Sequence, residues 1–471
     1  MASPAPRGSR PFDRSIVEGP IGRAVWRLAW PTMLQNAIGG LQGIVDHVMV
    51  GNFVGFAANA AIGVSWQIFL VVMVFVSSLF TGMAVLVARF AGANEPEKVN
   101  RTVTQAFVTA AALSLGVLAP LGWIFAPRLL LLVNAEPAVQ AEALPYLRLM
   151  FVFSLGMMVF FMLGGALRSA GDARTPLRLG IVLTVLNIVL NVILIPGLGP
   201  IPALGTMGAA LGTVIAGTAV SLYAFVRLFS GRWVIDLRGA RWRPDWSVIR
   251  ALFRFGLPAG VQGVAMNIAG VLLLRFIGSL EQSAEAQAAY AVAYTELFSL
   301  ITWTSVGLMG AAAAVAGQNL GAGSPERASA GVAVASRIAV GVAVTVGLAF
   351  LTLPRLLLAA FGMDDPLVAD IGVQLLRYLS LSGLFVSVAL TYTGGLQGTG
   401  DTRSPLYISI ISQIVVPLGL CTVLQATRGL TPGDIWTAIL AGHATRCVLS
   451  MARFRQEKWR QIRVDIEPAR R

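Results

Sequence analysis

Apolar positions in this chain come in long blocks, not in the one-sided stripes of a water-soluble helix. Ile68–Val87, Val103–Leu118 and Ile338–Leu353 carry no charged side chain. An apolar run of about 18–20 residues is what a helix needs to cross a bilayer. Short polar breaks rich in Gly, Pro, Asn and Asp separate the blocks. A helix placed on each block predicts twelve spans, at about 25–51, 60–90, 99–125, 139–166, 176–196, 206–230, 247–279, 286–318, 326–353, 368–396, 405–426 and 432–454.

The breaks repeat. "GALRSAGDARTP" (Gly165–Pro176) returns as "GGLQGTGDTRSP" (Gly394–Pro405) after 229 residues, and "AGANEPEK" (Ala91–Lys98) returns as "LGAGSPER" (Leu320–Arg327) at the same spacing. "FAPRLLLL" (Phe125–Leu132) and "WPTMLQ" (Trp30–Gln35) return as "TLPRLLLA" and "LPAGVQ" at a spacing of 227. Spans one to six therefore recur as spans seven to twelve. Six is even, so both halves enter the membrane from the same side, as in parallel-repeat transporters. The expected fold is an all-α polytopic membrane protein of 12 transmembrane helices, in two six-helix lobes related by a pseudo-two-fold axis. The expected divisions are an N-terminal tail (1–24), an N-lobe (25–230), a linker (231–246), a C-lobe (247–454) and a C-terminal tail (455–471).

The doubled phrase reads as a helix joint. Gly171 and Gly400 suit a left-handed helix end, Thr175 and Ser404 can cap the next helix, and Pro176 and Pro405 suit its first turn. "GTGD" (Gly398–Asp401) also matches a pattern of intramembrane aspartyl proteases. That chemistry needs a second aspartate sharing a proton, and no Tyr-Asp partner occurs in the sequence.

Composition agrees with the blocks. Charged residues make up 12% of the chain and hydrophobic ones 56%, with a mean hydropathy of +0.75, whereas a soluble domain carries about 25% charged residues. The 50 glycines fit close helix packing in lipid. A net charge of +13 and a pI of 10.8 raise the question of nucleic acid, but no basic helix or aromatic–basic stripe lies outside the spans to read one. Instead, 29 of the 35 basic residues fall on the side of both termini, leaving Arg128, Arg148, Arg275, Arg355, Arg377 and Arg428 on the other. The positive-inside rule then puts the termini, the linker and both Gly-Asp joints in the cytoplasm.

Residues 1–23 are polar and Arg-containing, and the long block after them holds Gln35, Gln42 and Asp46, so it reads as a first span and not as a cleavable signal. Two lysines against 33 arginines point to a GC-rich bacterial genome, hence to the inner membrane. Cys421 and Cys447 lie in apolar blocks and read as buried free thiols. No GxxxxGK[ST], HExxH or GxSxG signature is present. The reading is therefore not an enzyme and without a cofactor, and any transport is secondary, driven by an ion gradient or by the substrate's own.

Inside the spans, polar residues are few and aligned. Gln35, Gly39, Gln42 and Asp46 are spaced by 4, 3 and 4 residues in span one, and Thr184, Asn187 and Asn191 share one face of span five. Such stripes face inward, because polar groups facing lipid are costly; interhelical hydrogen bonding would account for the amides alone. At the repeat spacing, Asp46 corresponds to Leu273, Asn187 to Val416 and Asn191 to Leu420. A network in only one of two similar lobes points to an ion site there. In span eight, Glu296 lies near Tyr290, Tyr294 and Trp303 in sequence, and aromatic rings beside a carboxylate suit an organic cation. His47 and His443 read as packing residues.

Two six-helix lobes, the paired joints, "VDHVMVG" (Val45–Gly51), "NIVLN" (Asn187–Asn191) and "GQNLGAGSPERA" (Gly317–Ala328) together resemble the multidrug and toxic compound extrusion (MATE) transporters. The likeness runs from about Glu18 to Arg455. It implies antiport, in which H⁺ or Na⁺ enters while a small organic, often cationic, compound leaves through a cavity between the lobes by alternating access. It also implies that Thr213 of span six lies near the ion pocket. The expected ion-coupling set is thus Asp46, Asn187, Asn191, Gln42 and Thr213, with Na⁺ at Asp46 as one option. The expected substrate set is Glu296, Gln35, Tyr290, Tyr294 and Trp303. The chain departs from family patterns where one branch has acids: Met266-Asn267 stands in span seven, no acid lies near Val386, and Asn191 replaces a second span-five carboxylate. The expected partners are the bilayer, the ion and the substrate, for a monomer without nucleic acid. The alternative is a flippase for lipid-linked precursors, which would line its interior with several Arg or Lys.

Overall fold

Each apolar block folds as a helix, since a helix satisfies its own backbone hydrogen bonds where lipid offers none. The computed structural model describes residues 12–133, 135–363 and 365–466. Twelve long helices follow one another among them. They are α1 (Ile21–Phe53), α2 (Phe56–Gly92), α3 (Pro96–Leu132), α4 (Pro137–Val152 and, after a bend of 54°, Ser154–Ser169), α5 (Arg174–Leu194) and α6 (Gly205–Leu228). After the linker come α7 (Trp246–Gly278), α8 (Ser283–Gly321), α9 (Pro325–Thr352), α10 (Pro366–Thr399), α11 (Arg403–Arg428) and α12 (Pro432–Arg455). Eight of them are long and apolar enough to cross a membrane, and ten once the bent pairs in α2 and α4 each count as one span. The two left over are α1 and α12. At 33 and 24 residues they are long enough, but α1 interrupts its apolar sequence with Gln35, Gln42 and Asp46, and α12 with His443 and Arg446.

The chain divides into two compact units. The first holds Ala37–Leu257 and the second Arg14–Asn36 with Pro258–Val464; Asp465 and Ile466 belong to the first. Helices α1 and α7 therefore each change unit along their length.

In the first unit, α2 and α7 are in backbone contact: a methyl group at Gly82 would overlap the Leu252 carbonyl, and one at Gly256 the Ser78 carbonyl. Ser221 of α6 donates to the Gly156 carbonyl of α4 at 2.6 Å. In the second unit, Gly307 of α8 packs on the Met33 backbone of α1, while Gly394 and Gly398 of α10 lie against the Met309 and Ala313 carbonyls of α8. Small residues at these crossings let backbones approach where lipid gives no hydrophobic drive.

Among the described residues three π turns interrupt the helices, at Ser114–Leu118, Ala291–Leu297 and Ile411–Val415. Such a turn absorbs one inserted residue, and the third shifts the repeat. Ahead of it, buried Pro405, Ile408 and Ser409 match Pro176, Leu179 and Gly180 at the spacing of 229; beyond it, buried Pro417 and Cys421 match Asn187 and Asn191 at 230. Leu420, expected opposite Asn191, is exposed. The face that carries two asparagines in α5 thus carries a proline and a cysteine in α11.

The Gly-Asp joints are built as expected except for the cap. Gly171 and Gly400 have φ of 102° and 99°, a conformation that suits glycine. The caps are the aspartates: Asp172 Oδ1 accepts from the Arg174 and Thr175 amides at 3.1 and 3.0 Å, and Asp401 Oδ1 from the Ser404 amide at 3.1 Å. Thr175 and Ser404 instead donate their hydroxyls back to the same carboxylates, at 2.5 and 2.8 Å. A carboxylate beside the first turn also meets the positive end of the helix dipole. Arg453 adds an ion pair to Asp401 at 3.0 Å, which leaves that aspartate a structural role.

Candidate functional site

In the first unit the stripes of α1 and α5 meet. Asn191 Nδ2 donates to Asp46 Oδ1 at 2.7 Å, and Thr184 Oγ1 donates to Gln42 Oε1 at 2.9 Å. Asn187 and Asn191 are both completely buried. The oxygen and nitrogen of the Asn187 amide are told apart by their hydrogen-bond partners. In one orientation the nitrogen donates to Thr213 Oγ1 at 3.2 Å. Turned over, the nitrogen donates to Asp46 Oδ1 at 3.1 Å while the oxygen accepts from Thr213 Oγ1 and N, each at 3.2 Å. The turned orientation satisfies more partners, the basis on which amide orientations are assigned. Thr213 Oγ1 also lies 3.1 Å from the Ala209 carbonyl of its own helix. All five residues of the expected ion-coupling set therefore gather around one carboxylate.

The packing holds this geometry closely. Gly212 lies against Asn191, and a methyl there would overlap Asn191 Oδ1. That oxygen is buried and has no hydrogen-bond partner among the described residues. Two α4 residues were not anticipated from sequence: Tyr146 is buried within electrostatic range of Asp46, and one turn earlier Glu142 ties α4 to α6, accepting from Thr206 Oγ1 at 2.5 Å. Their shared signal was a four-residue spacing on α4. His47 is held aside, its Nδ1 2.6 Å from Asn59 Oδ1. No group of three His, Cys, Asp or Glu side chains able to hold a metal occurs among the described residues.

The expected substrate set does not gather in the same way. Gln35 belongs to the segment of α1 in the second unit, so the Gln35–Asp46 stripe is divided between units. Beside it, Asn36 Nδ2 donates to the Trp303 carbonyl at 3.2 Å. Tyr290 and Tyr294 stack on each other at 4.7 Å and continue onto Trp436 and His443, at 6.2 and 6.5 Å, with Phe298 5.9 Å from His443. Those rings pack toward α12. Glu296, in the Ala291–Leu297 π turn, is half-buried, and its carboxylate forms no hydrogen bond with a described residue.

At the polar ends, charges hold connecting segments. Arg101 of α3 pairs with Asp245 of the linker, and Gln105 takes the Arg243 carbonyl at 2.9 Å and the Asp245 amide at 2.9 Å. Burial alone would raise the Asp245 pKa, but the Ser247 and Arg101 hydrogen bonds hold it below the usual carboxylate range. In the second unit, Arg327 binds the Gly19 carbonyl at 2.8 Å and Asn319 at 3.0 Å. That gives "GQNLGAGSPER" a role in seating the N-terminal segment.

Two repeated helical units with a buried acid between amides define a polytopic membrane protein of transporter architecture. The family model described as MatE matches residues 31–193 and 258–423, and the chain belongs to the MatE family. Among curated relatives, a probable multidrug resistance protein NorM of Thermotoga maritima is 27% identical over 446 residues, covering 93% of each chain. The multidrug resistance protein MdtK of Pectobacterium atrosepticum is 26% identical over 443 residues, covering 92% of this chain and 95% of its own. Among solved structures, a MOP superfamily transporter from Pyrococcus furiosus superposes with a TM-score of 0.87 at 20% identity, over 98% of this chain and all of its own.

Proposed function

We propose that the chain is a secondary exporter exchanging protons for small organic, often cationic, compounds by alternating access, in an inner membrane, with both termini cytoplasmic and as a monomer. One observation carries the coupling: the Asp46 carboxylate is addressed by two amide nitrogens, those of Asn191 and of the turned Asn187. Ionised, it accepts from Asn191 and from the turned Asn187, tying α1 to α5. A proton on Asp46 removes the charge that these donors answer, so loading changes what the two helices hold in common. A cationic compound competes with the proton for the same negative charge. The breadth of compounds follows from the relatives, which are named multidrug resistance proteins.

Sodium is the second reading, favoured by the partnerless Asn191 Oδ1. With Asp46, Thr213 and amide oxygens turned inward it would supply the hard oxygen ligands of a monovalent cation. Proteoliposomes separate the two. A pH gradient acid inside, without sodium, should drive uptake of a fluorescent cation, and an imposed Na⁺ gradient at equal pH should not. Uptake with sodium alone would overturn the proton assignment.

A further inference from the structure

Helix α12 carries a second buried polar stripe that export of cations does not use. Trp436, His443, Arg446 and Ser450 follow one another at spacings of 7, 3 and 4 residues and are all buried, His443 to 4% exposure and Arg446 to 8%. Within it, Trp436 Nε1, His443 Nδ1, Arg446 Nε and Ser450 Oγ have no hydrogen-bond partner among the described residues, nor has Ser412 Oγ of α11. Ser412 lies in the π turn whose carbonyl packs on Gly442, next to His443. The second π turn, on α8, brings Tyr294 face to face with His443, and Tyr294 is within electrostatic range of Arg446. Both irregular turns of this unit therefore converge on the His443–Arg446 segment, and π turns concentrate at functional sites.

The chemistry of the stripe has one sign. The Arg and Trp N–H groups only donate, while the His nitrogen and the Ser hydroxyls are able to. No carboxylate pairs with Arg446 among the described residues. A buried guanidinium without a counter-charge is costly, and water alone would leave the charge unanswered. The other unit lacks the feature. With α6 and α12 aligned on their buried positions, Ala210, Gly217, Val220 and Ala224 stand where α12 has Trp436, His443, Arg446 and Ser450.

We propose that the second unit binds a small monovalent anion, a halide or the carboxylate of an organic acid, at Arg446 and His443 between the two π turns. The site is separate from Asp46 and takes the opposite charge. Arg446 supplies the charge and Nε–H, His443 an N–H from a ring fixed by Tyr294 and Phe298, and Ser412 a hydroxyl.

The test is thermal unfolding of the purified full-length protein in detergent, titrated at constant ionic strength with chloride or acetate against gluconate, a bulkier polyhydroxylated anion taken as the reference. Chloride or acetate should raise the midpoint saturably, and whichever acts at lower concentration identifies the natural occupant. Arg446→Gln should lose the shift, and His443→Ala should need at least tenfold more anion. Identical unfolding in all three salts, or a shift undiminished in Arg446→Gln, overturns the proposal. Crystals of the wild-type protein soaked in bromide give an independent reading should Arg446→Gln not fold. An anomalous peak beside Arg446 supports the site, and none there at saturating bromide overturns it.

Discussion

Single residues decide the charge of each interior. Asn191 reaches Asp46 only because Gly212 leaves room for its amide. Gly212→Ala should push that amide off the carboxylate, cost about 1–3 kcal/mol of stability as overpacking does, and reduce export more than expression. Unchanged export at normal expression would show that the Asn191–Asp46 bond is dispensable. Glu296 is half-buried with a carboxylate free of described hydrogen-bond partners, so Glu296→Gln should slow efflux of cationic compounds several-fold and spare neutral ones. Equal loss for both classes would assign it a structural role. Asp46, Asn187 and Asn191 were legible because a polar stripe in an apolar helix has one economical direction, inward. Glu142 and Tyr146 were not, because an acid and an aromatic near a helix end look like interfacial residues until α6 is seen beside them.

At the scale of elements, glycine contacts fix how helices cross. Gly398→Val would drive a side chain into the Ala313 carbonyl, and backbone cannot yield as a side-chain tip does. A fall in the unfolding midpoint equivalent to about 1–3 kcal/mol is expected, and a midpoint equal to wild type would show that α8 and α10 are not in close contact there. The linker gives a pH prediction outside the membrane. The folded Asp245 pKa is lowered, so its stabilisation is complete above the ordinary carboxylate value of about 3.9 and lost as pH falls through the lowered value. Protection of 236–247 against hydrogen exchange, corrected for intrinsic rates, should hold from pH 7 to about 4 and fail only below. Opening between pH 6 and 5 would implicate a different group. Helices and repeat were readable from apolar blocks and recurring breaks. The π turns were not, since an i→i+5 turn has no compositional mark, and the Ile411–Val415 turn displaced the inferred partners of Asn187 and Asn191 by one residue.

Across the whole molecule, duplication has left two similar frames with opposite interiors: an acid among amides in the first unit, a guanidinium among donors in the second. α1 and α12, the least apolar of the twelve helices, carry those groups. The positive-inside assignment predicts that cysteines at exposed Arg174 and Arg403 react with impermeant reagents only from the cytoplasm, and one at exposed Glu281 only from outside. Labelling on the reverse sides would invert the topology. The central claim is that Asp46 couples the proton to export. Asp46→Asn keeps volume and most hydrogen bonding, so the protein should fold while losing the charge for which proton and cation compete. In inside-out vesicles with an acid lumen, wild type should accumulate that cation and Asp46→Asn should not. Accumulation by Asp46→Asn at the wild-type rate, under the same gradient, would contradict the account.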